Sequence, residues 1–258
     1  MESANVNSSA APAHGTDGPT GQVSLSIVIP AYNEASRLGR TLERIREYAI
    51  AMDWRCEVIL VDDGSQDGTA DLVRGFAAGP MALQLLVNPG NRGKGYSVRR
   101  GMLAAAGESV LMCDADLSTP IEEVGKLLYW LGQGYEVAIG SRDMPDSILS
   151  PPQPLSRRIL GTLMRAVRRR IVLPRLSDTQ CGFKCFTRQA AQQIFASQTI
   201  DGFAFDCEVL ALADGLGYRI REVGVMWCDD RDSRVRPLQD GWHVLVSLLR
   251  IRWGMGHR

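Results

Sequence analysis

The sequence predicts an α/β protein with a mostly parallel central sheet flanked by helices. Three observations predict it. Five short apolar, β-branched runs recur through the first 140 residues, spaced by about 25 to 30 positions. Segments of helical period separate them, which is the rhythm of βα repeats. The runs are apolar almost throughout, as strands covered on both faces require.

In chain order the runs are LSIVI at 25–29, CEVILV at 56–61, LQLLV at 83–87, SVLMC at 109–113 and YEVAIG at 135–140. Helices are expected between them at 36–51, 68–78, 95–106 and 120–132. Asp67 before Gly68-Thr69 and Thr119 before Pro120 read as helix starts. Beyond Arg142 the rhythm changes, because residues 147–177 hold seven arginines and no acidic residue. There Ile159, Leu160, Leu163, Met164, Val167 and Ile171 share one helical face, with Arg158, Arg165, Arg168 and Arg169 largely opposite. Further helices are expected at about 187–196, 205–215 and 238–253, with a strand at 219–227. Residues 1–22 lack an apolar period and read as a disordered tail, and no repeat or linker divides 23–258, which reads as one domain.

A chain of 258 residues buries enough surface to fold without disulfides or a structural metal. Lys and Arg number 29, as do Asp and Glu, which argues against a nucleic-acid binder relying on global charge. The six cysteines follow a start without the basic and apolar regions of a signal peptide, so reduced thiols and a cytoplasmic location are expected. No apolar window reaches 18 residues, so the chain is not expected to span a bilayer. The stretches 156–172 and 238–253, the latter with Trp242, Arg250, Arg252 and Trp253, suit a peripheral place on the inner membrane face. They suit equally well helices packed on the sheet with arginines in solvent.

Ligands of open α/β sheets sit outside the carboxyl ends of the strands. Four runs end there in polar clusters: Pro30-Ala31-Tyr32-Asn33-Glu34, Asp62-Asp63-Gly64-Ser65, Asn88 with Asn91-Arg92-Gly93-Lys94-Gly95, and Asp114-Ala115-Asp116. Asp114 and Asp116 suit turn positions ahead of a helix, or a hard divalent cation that keeps waters and bridges diphosphate oxygens. Asp62 can hydrogen-bond a ribose or base edge, or close an Asx-turn. The glycines around Lys94 let backbone approach an anion with which the lysine pairs, or simply make a turn. Neither G-x-x-x-x-G-K-[ST] nor G-x-G-x-x-G occurs at these places, which lowers the NTPase and dehydrogenase readings. Cys181 and Cys185 lack the spacing of a metal or redox pair, and His14, His243 and His257 form no cluster, so buried thiols are expected.

In this order, IVIPAYNE, VILVDDGSQDGT, NRGKG and DAD together resemble the nucleotide-sugar half of a family 2 glycosyltransferase with the GT-A nucleotide-diphospho-sugar transferase fold. Asp178 to Lys184 (DTQCGFK), Phe205-Asp206-Cys207-Glu208, and Trp227 followed by Ser233-Arg234-Val235 resemble its dolichyl-phosphate β-glucosyltransferase branch, close to the dolichyl-phosphate mannosyltransferases. The resemblance covers roughly residues 24–253. It implies Pro30, Tyr32, Glu34 and Asp62 around the nucleotide, with Lys94 beside the donor. It also implies Asp114, Ala115 and Asp116 at a Mg²⁺ or Mn²⁺ ion and the diphosphate, Arg142 on the donor, and Lys184 and Arg234 facing phosphates. Two departures stand out: Asp232-Ser233-Arg234 replaces a frequent Gly-Ser-Lys, and Asp114-Ala115-Asp116-Leu117-Ser118-Thr119 replaces DADGAT-like sequences. No N-terminal membrane anchor like that of the eukaryotic members is expected from residues 1–22, nor therefore stable membrane residence.

The implied activity is inverting transfer of glucose or another hexose from a UDP-sugar to a polyprenyl or dolichyl phosphate. Such an acceptor is already an anion near pH 7 and needs positioning more than deprotonation. A hydroxyl acceptor would instead need a base, for which Asp206 or Glu208 is the candidate unless both are helix-start carboxylates. A soluble hydroxyl or phosphorylated acceptor, a GDP-mannose donor, and a non-catalytic sugar-nucleotide-binding module remain alternatives.

Overall fold

A computed structural model of the chain describes residues 23–150 and 173–228. The tail at 1–22, the arginine-rich stretch 156–172, Arg234 and the segment 238–253 lie outside the described residues. Strands β1 (Leu25–Ala31), β2 (Cys56–Asp62), β3 (Ala82–Val87), β4 (Ser109–Met112) and β5 (Val137–Ser141) fall on the five apolar runs. Beyond them come β6 (Ile148–Ser150), β7 (Lys184–Thr187), β8 (Ile220–Gly224) and β9 (Met226–Cys228). The main sheet runs β3-β2-β1-β4-β7-β5-β8. Every pairing in it is parallel except those of β7, which is antiparallel to β4 and to β5.

The strand expected at 219–227 is two strands: β8 closes the main sheet and β9 pairs with β6 in a separate parallel ribbon. Helices α1 (Ala35–Ala51), α2 (Thr69–Gly75), α3 (Lys94–Ala104), α4 (Val124–Gly132), α5 (Arg188–Ser197) and α6 (Phe205–Gly215) connect the strands. A 3₁₀ turn at Ile121–Glu123 precedes α4, so the helix expected from 120 starts in the tighter form. The helix expected over 68–78 stops at Gly75, where Phe76 turns extended.

The alternation of side chains along β1 and β2 makes two cores. Ile27, Ile29, Val58 and Leu60 face α1, α2 and α4, where Leu38, Leu42, Ile45, Val73 and Leu127 meet them. Val28, Ile59 and Val61 face the other layer, with Val98 and Met102 of α3 and the apolar faces of α5 and α6. Burial on both faces explains why these strands read as continuous apolar runs.

Asp67 does more than open its own helix. Its Oδ1 accepts from Thr69 N–H (3.1 Å), and its Oδ2 accepts from Ala35 N–H (3.1 Å) at the start of α1. Thr69 Oγ1 accepts from Glu34 N–H (2.9 Å), so one loop caps two helices and fixes the end of β1 against the end of β2. The antiparallel direction of β7 matters in the same way. It brings the first residue of that strand, Lys184, into register with Met112 and Ile139 near the carboxyl ends of β4 and β5. All six cysteines are unbridged; Cys228 is exposed and the other five are buried. Among the described residues no helix is long and apolar enough to cross a membrane.

Candidate active site

Strands β1 and β4 are neighbours in the sheet although β2 and β3 lie between them in sequence, and a crevice opens at their carboxyl ends. A cavity of about 440 Å³ occupies it. Of the residues expected there, Pro30, Tyr32 and Glu34 line it from the β1 end, Lys94 from the start of α3, and Asp114, Ala115 and Asp116 from the β4 end. Asp62, Arg142, Lys184 and Asp206 are not among its lining residues.

Asp62 is engaged within its own loop. It is buried and its Oδ1 accepts from Ser65 N–H (3.2 Å), three residues on, which ties the turn after β2 to the end of the strand. Its neighbour Asp63 faces the cavity instead. Asp63 Oδ1 accepts from Asn88 Nδ2 (2.7 Å) and Arg92 N–H (2.9 Å), and Oδ2 accepts from Gly93 N–H (2.8 Å). The loop ahead of α3 therefore hangs from this one carboxylate. Gly93 bends it at φ +101°, with the Asp201 carbonyl oxygen 2.5 Å from where a Cβ would lie, so no side chain fits.

Lys94 Nζ stands 2.6 Å from Asp114 Oδ1. Burial alone would lower the pKa of this ammonium, but Asp114, with Asp206 and Asp116 behind it, holds it above the ordinary lysine value. Asp116 is raised, first by burial and then by the charge of Asp114. Ser118 N–H donates to its Oδ1 (2.9 Å) and Arg37 lies 4.0 Å away, both in the opposite sense. Two crowded carboxylates one residue apart, one resisting ionisation, fit a hard divalent cation whose charge would relieve both. Leu117 follows them at φ +47°, where the DADGAT-like sequences place glycine. The leucine holds the left-handed turn at a cost of about 1–2 kcal/mol.

Three further expected residues are engaged by partners within the protein. Lys184 is wholly buried; its Nζ donates to the Cys181 carbonyl oxygen (2.6 Å) and to Asp206 Oδ1 (2.5 Å), so it faces protein acceptors and not an open phosphate site. Asp206 is thereby engaged as the partner of a cation. Arg142 grips Asp178 with Nε on Oδ2 (2.6 Å) and an Nη on Oδ1 (2.9 Å) while its guanidinium lies over the Trp227 ring at 5.5 Å. Burial would raise Asp178, yet Arg142 holds its carboxyl well below the usual range. Glu208 is likewise occupied, accepting from Thr199 N–H (3.0 Å), Thr199 Oγ1 (2.6 Å) and Ile200 N–H (2.8 Å).

Asp63 stood in one of the four polar clusters without a role of its own, and Arg37 and Phe203 were not singled out; all three line the cavity. Arg37 carried a signal, since it sits one helical turn after Glu34, with which it pairs. Phe203, exposed at the cavity from the loop before α6, carried none.

The model of glycosyl transferase family 2 matches residues 26–195. Dolichyl-phosphate β-glucosyltransferase of Dictyostelium discoideum is 33% identical over 247 residues, covering 91% of this chain and 76% of its own. The Drosophila melanogaster enzyme of that name is 35% identical over 236 residues (86% and 71%), and that of Homo sapiens 33% over 250 residues (92% and 76%). Glucosyl-3-phosphoglycerate synthase from Mycobacterium tuberculosis, solved with Mn²⁺, UDP and glucosyl-3-phosphoglycerate, superposes with a TM-score of 0.64 at 21% identity, covering 90% of this chain and 81% of that one. Mannosyl-3-phosphoglycerate synthase from Rubrobacter xylanophilus gives 0.67 at 17% identity, covering 92% and 75%. At such identities the likeness is one of fold, and the fold is GT-A.

Proposed function

The chain belongs to glycosyl transferase family 2 and is a glycosyltransferase, and from that premise we propose that it transfers glucose from UDP-glucose to a dolichyl or other polyprenyl phosphate. The transfer inverts the anomeric carbon and takes place with the protein peripheral on the cytoplasmic face of a membrane. The observation that carries this reading is the gathering of Asp114, Asp116 and Lys94 in one cavity at the ends of β1 and β4. The names of the relatives support the acceptor, and the UDP and Mn²⁺ of the mycobacterial enzyme support the donor class.

In this mechanism Pro30, Tyr32 and Glu34 wall the nucleotide, and Asp63 holds the loop that presents Lys94 to the diphosphate. Asp114 and Asp116 would hold Mg²⁺ or Mn²⁺, which when bound would offset the charge of the leaving diphosphate. A phosphate acceptor arrives ionised, so the attack needs no base from the chain. That agrees with the state of the two candidate bases: Asp206 is committed to Lys184, and Glu208 to three donors of residues 199–200. Arg234 remains the residue proposed to face the acceptor phosphate.

The test is a radiolabel transfer assay with Mg²⁺, comparing UDP-glucose and GDP-mannose as donors to polyprenyl phosphate, followed by organic extraction. Label from UDP-glucose should enter the organic phase and be lost with Asp116→Ala. Entry from GDP-mannose alone would overturn the donor. Label that stays aqueous with both, in protein that binds UDP by calorimetry, would overturn the lipid acceptor.

A further inference from the structure

Gly182, in the DTQCGFK stretch, is not among the glycines with positive φ, so its backbone alone does not call for glycine. The space a side chain would need is taken by a neighbour. A Cβ at position 182 would stand 1.9 Å from Asp114 Oδ2, 2.5 Å from Cγ and 2.8 Å from Oδ1. Its three nearest neighbours are thus the atoms of a single carboxylate, the one that also meets Lys94.

Both sides of this contact hang from one strand pair. Met112, two residues before Asp114, is in register with Lys184, two residues after Gly182. Lys184 then folds its ammonium back onto the Cys181 carbonyl oxygen, closing the 181–184 turn, and anchors that turn to Asp206 on the first turn of α6. We infer that Gly182 is a positioning residue that sets where the Asp114 carboxylate stands, and that the buried Lys184–Asp206 pair holds Gly182 in place.

The motif thereby acts from beneath the donor site, as the floor on which a cation ligand rests. A methyl group at 182 cannot coexist with the present Asp114 rotamer, because real Cβ contacts do not approach 2 Å; the carboxylate must swing away or the turn must move. Removing a group that orients a metal ligand ordinarily costs about 10- to 100-fold in metal affinity.

The inference rests on reading Asp114 as a cation ligand, and the experiment separates the two. Mn²⁺ binding to the full chain is followed by electron paramagnetic resonance for wild type, Asp114→Asn and Gly182→Ala, beside equilibrium unfolding of Gly182→Ala in the wild-type and Asp114→Ala backgrounds. Gly182→Ala should weaken Mn²⁺ binding about tenfold or more and lower kcat with the acceptor KM unchanged. It should destabilise the wild type but be close to neutral once Asp114→Ala has removed the carboxylate. Wild-type Mn²⁺ affinity in a folded Gly182→Ala protein, or equal destabilisation in both backgrounds, overturns the inference. Unchanged affinity in Asp114→Asn sinks the cation reading instead, and the unfolding cycle still judges the contact between the two residues.

Discussion

Lys184 Nζ lies 2.5 Å from Asp206 Oδ1, with the lysine side chain 0% and the aspartate side chain 6% exposed. The pair joins the start of β7 to the first turn of α6, and neither residue lines the cavity. Its two charges compensate each other in a place that water does not reach. Each is therefore indispensable to the other in a way that an exposed ion pair is not.

Removing one member should leave the other buried and unpaired, at about 3–5 kcal/mol. Lys184→Met is expected to lose that much in urea unfolding, and Lys184→Met with Asp206→Leu to regain most of it. Donor hydrolysis and transfer to lipid should decline together in Lys184→Met. A loss confined to lipid transfer would mean that the lysine meets the acceptor.

Asp63→Ala should release the loop ahead of α3, because Asn88, Arg92 and Gly93 all donate to that carboxylate. Each orphaned donor costs about 1–3 kcal/mol where water cannot replace its partner. Calorimetry should show UDP affinity falling by about tenfold, equivalent to about 1.4 kcal/mol of binding free energy.

The depressed Asp178 carboxyl makes a contribution with a definite sign. A carboxylate lowered in the folded state stabilises above its unfolded pKa of about 3.9, and that stability is lost as pH falls toward the folded value. Wild type should therefore lose stability more steeply than Asp178→Asn below about pH 4, followed by circular dichroism under urea. At neutral pH, Arg142→Ala should cost about 3–5 kcal/mol by stranding Asp178.

Thiol chemistry offers a fourth measurement. Burial pushes Cys181 up to about 11 and Cys185 up to about 12, and raises Cys113 as well, so these thiols stay protonated near neutrality. Native alkylation at about pH 8 should label exposed Cys228, and peptide mass mapping should find Cys113, Cys181 and Cys185 labelled only after denaturation. Rapid native labelling of Cys181 would contradict the packing around Gly182.

Much of this architecture was legible locally. Four of the five short runs announced their strands because β1, β2, β4 and β5 are largely buried on both faces, whereas β3, at the edge of the sheet, is partly exposed and was marked by its Leu and Val alone. β7 stayed hidden because Lys-Cys-Phe-Thr opens on a charge that becomes a core residue only through Asp206, 22 positions on. Asp62 and Asp63 are adjacent carboxylates, and which one turns toward the cavity depends on the strand's register, which composition does not reveal. Arg142 and Asp178, 36 positions apart, illustrate the same limit. The residue types were readable, but their partners were set by the topology.

The place of β7 also orders events during synthesis. Strands β1 to β4 pair among themselves, so that sheet can assemble once residue 112 has emerged. β5 has only β7 and β8 as neighbours, both later in the chain, and its apolar edge waits without a partner until residues 184–187 arrive. Waiting edges of this kind recruit other nascent chains, the interval in which holdase chaperones matter most. When β7 wedges between β4 and β5 it ends that interval and, in the same motion, carries Gly182 up to Asp114. A translation product halted short of this point would carry Asp114 without the turn at Gly182 that packs against it.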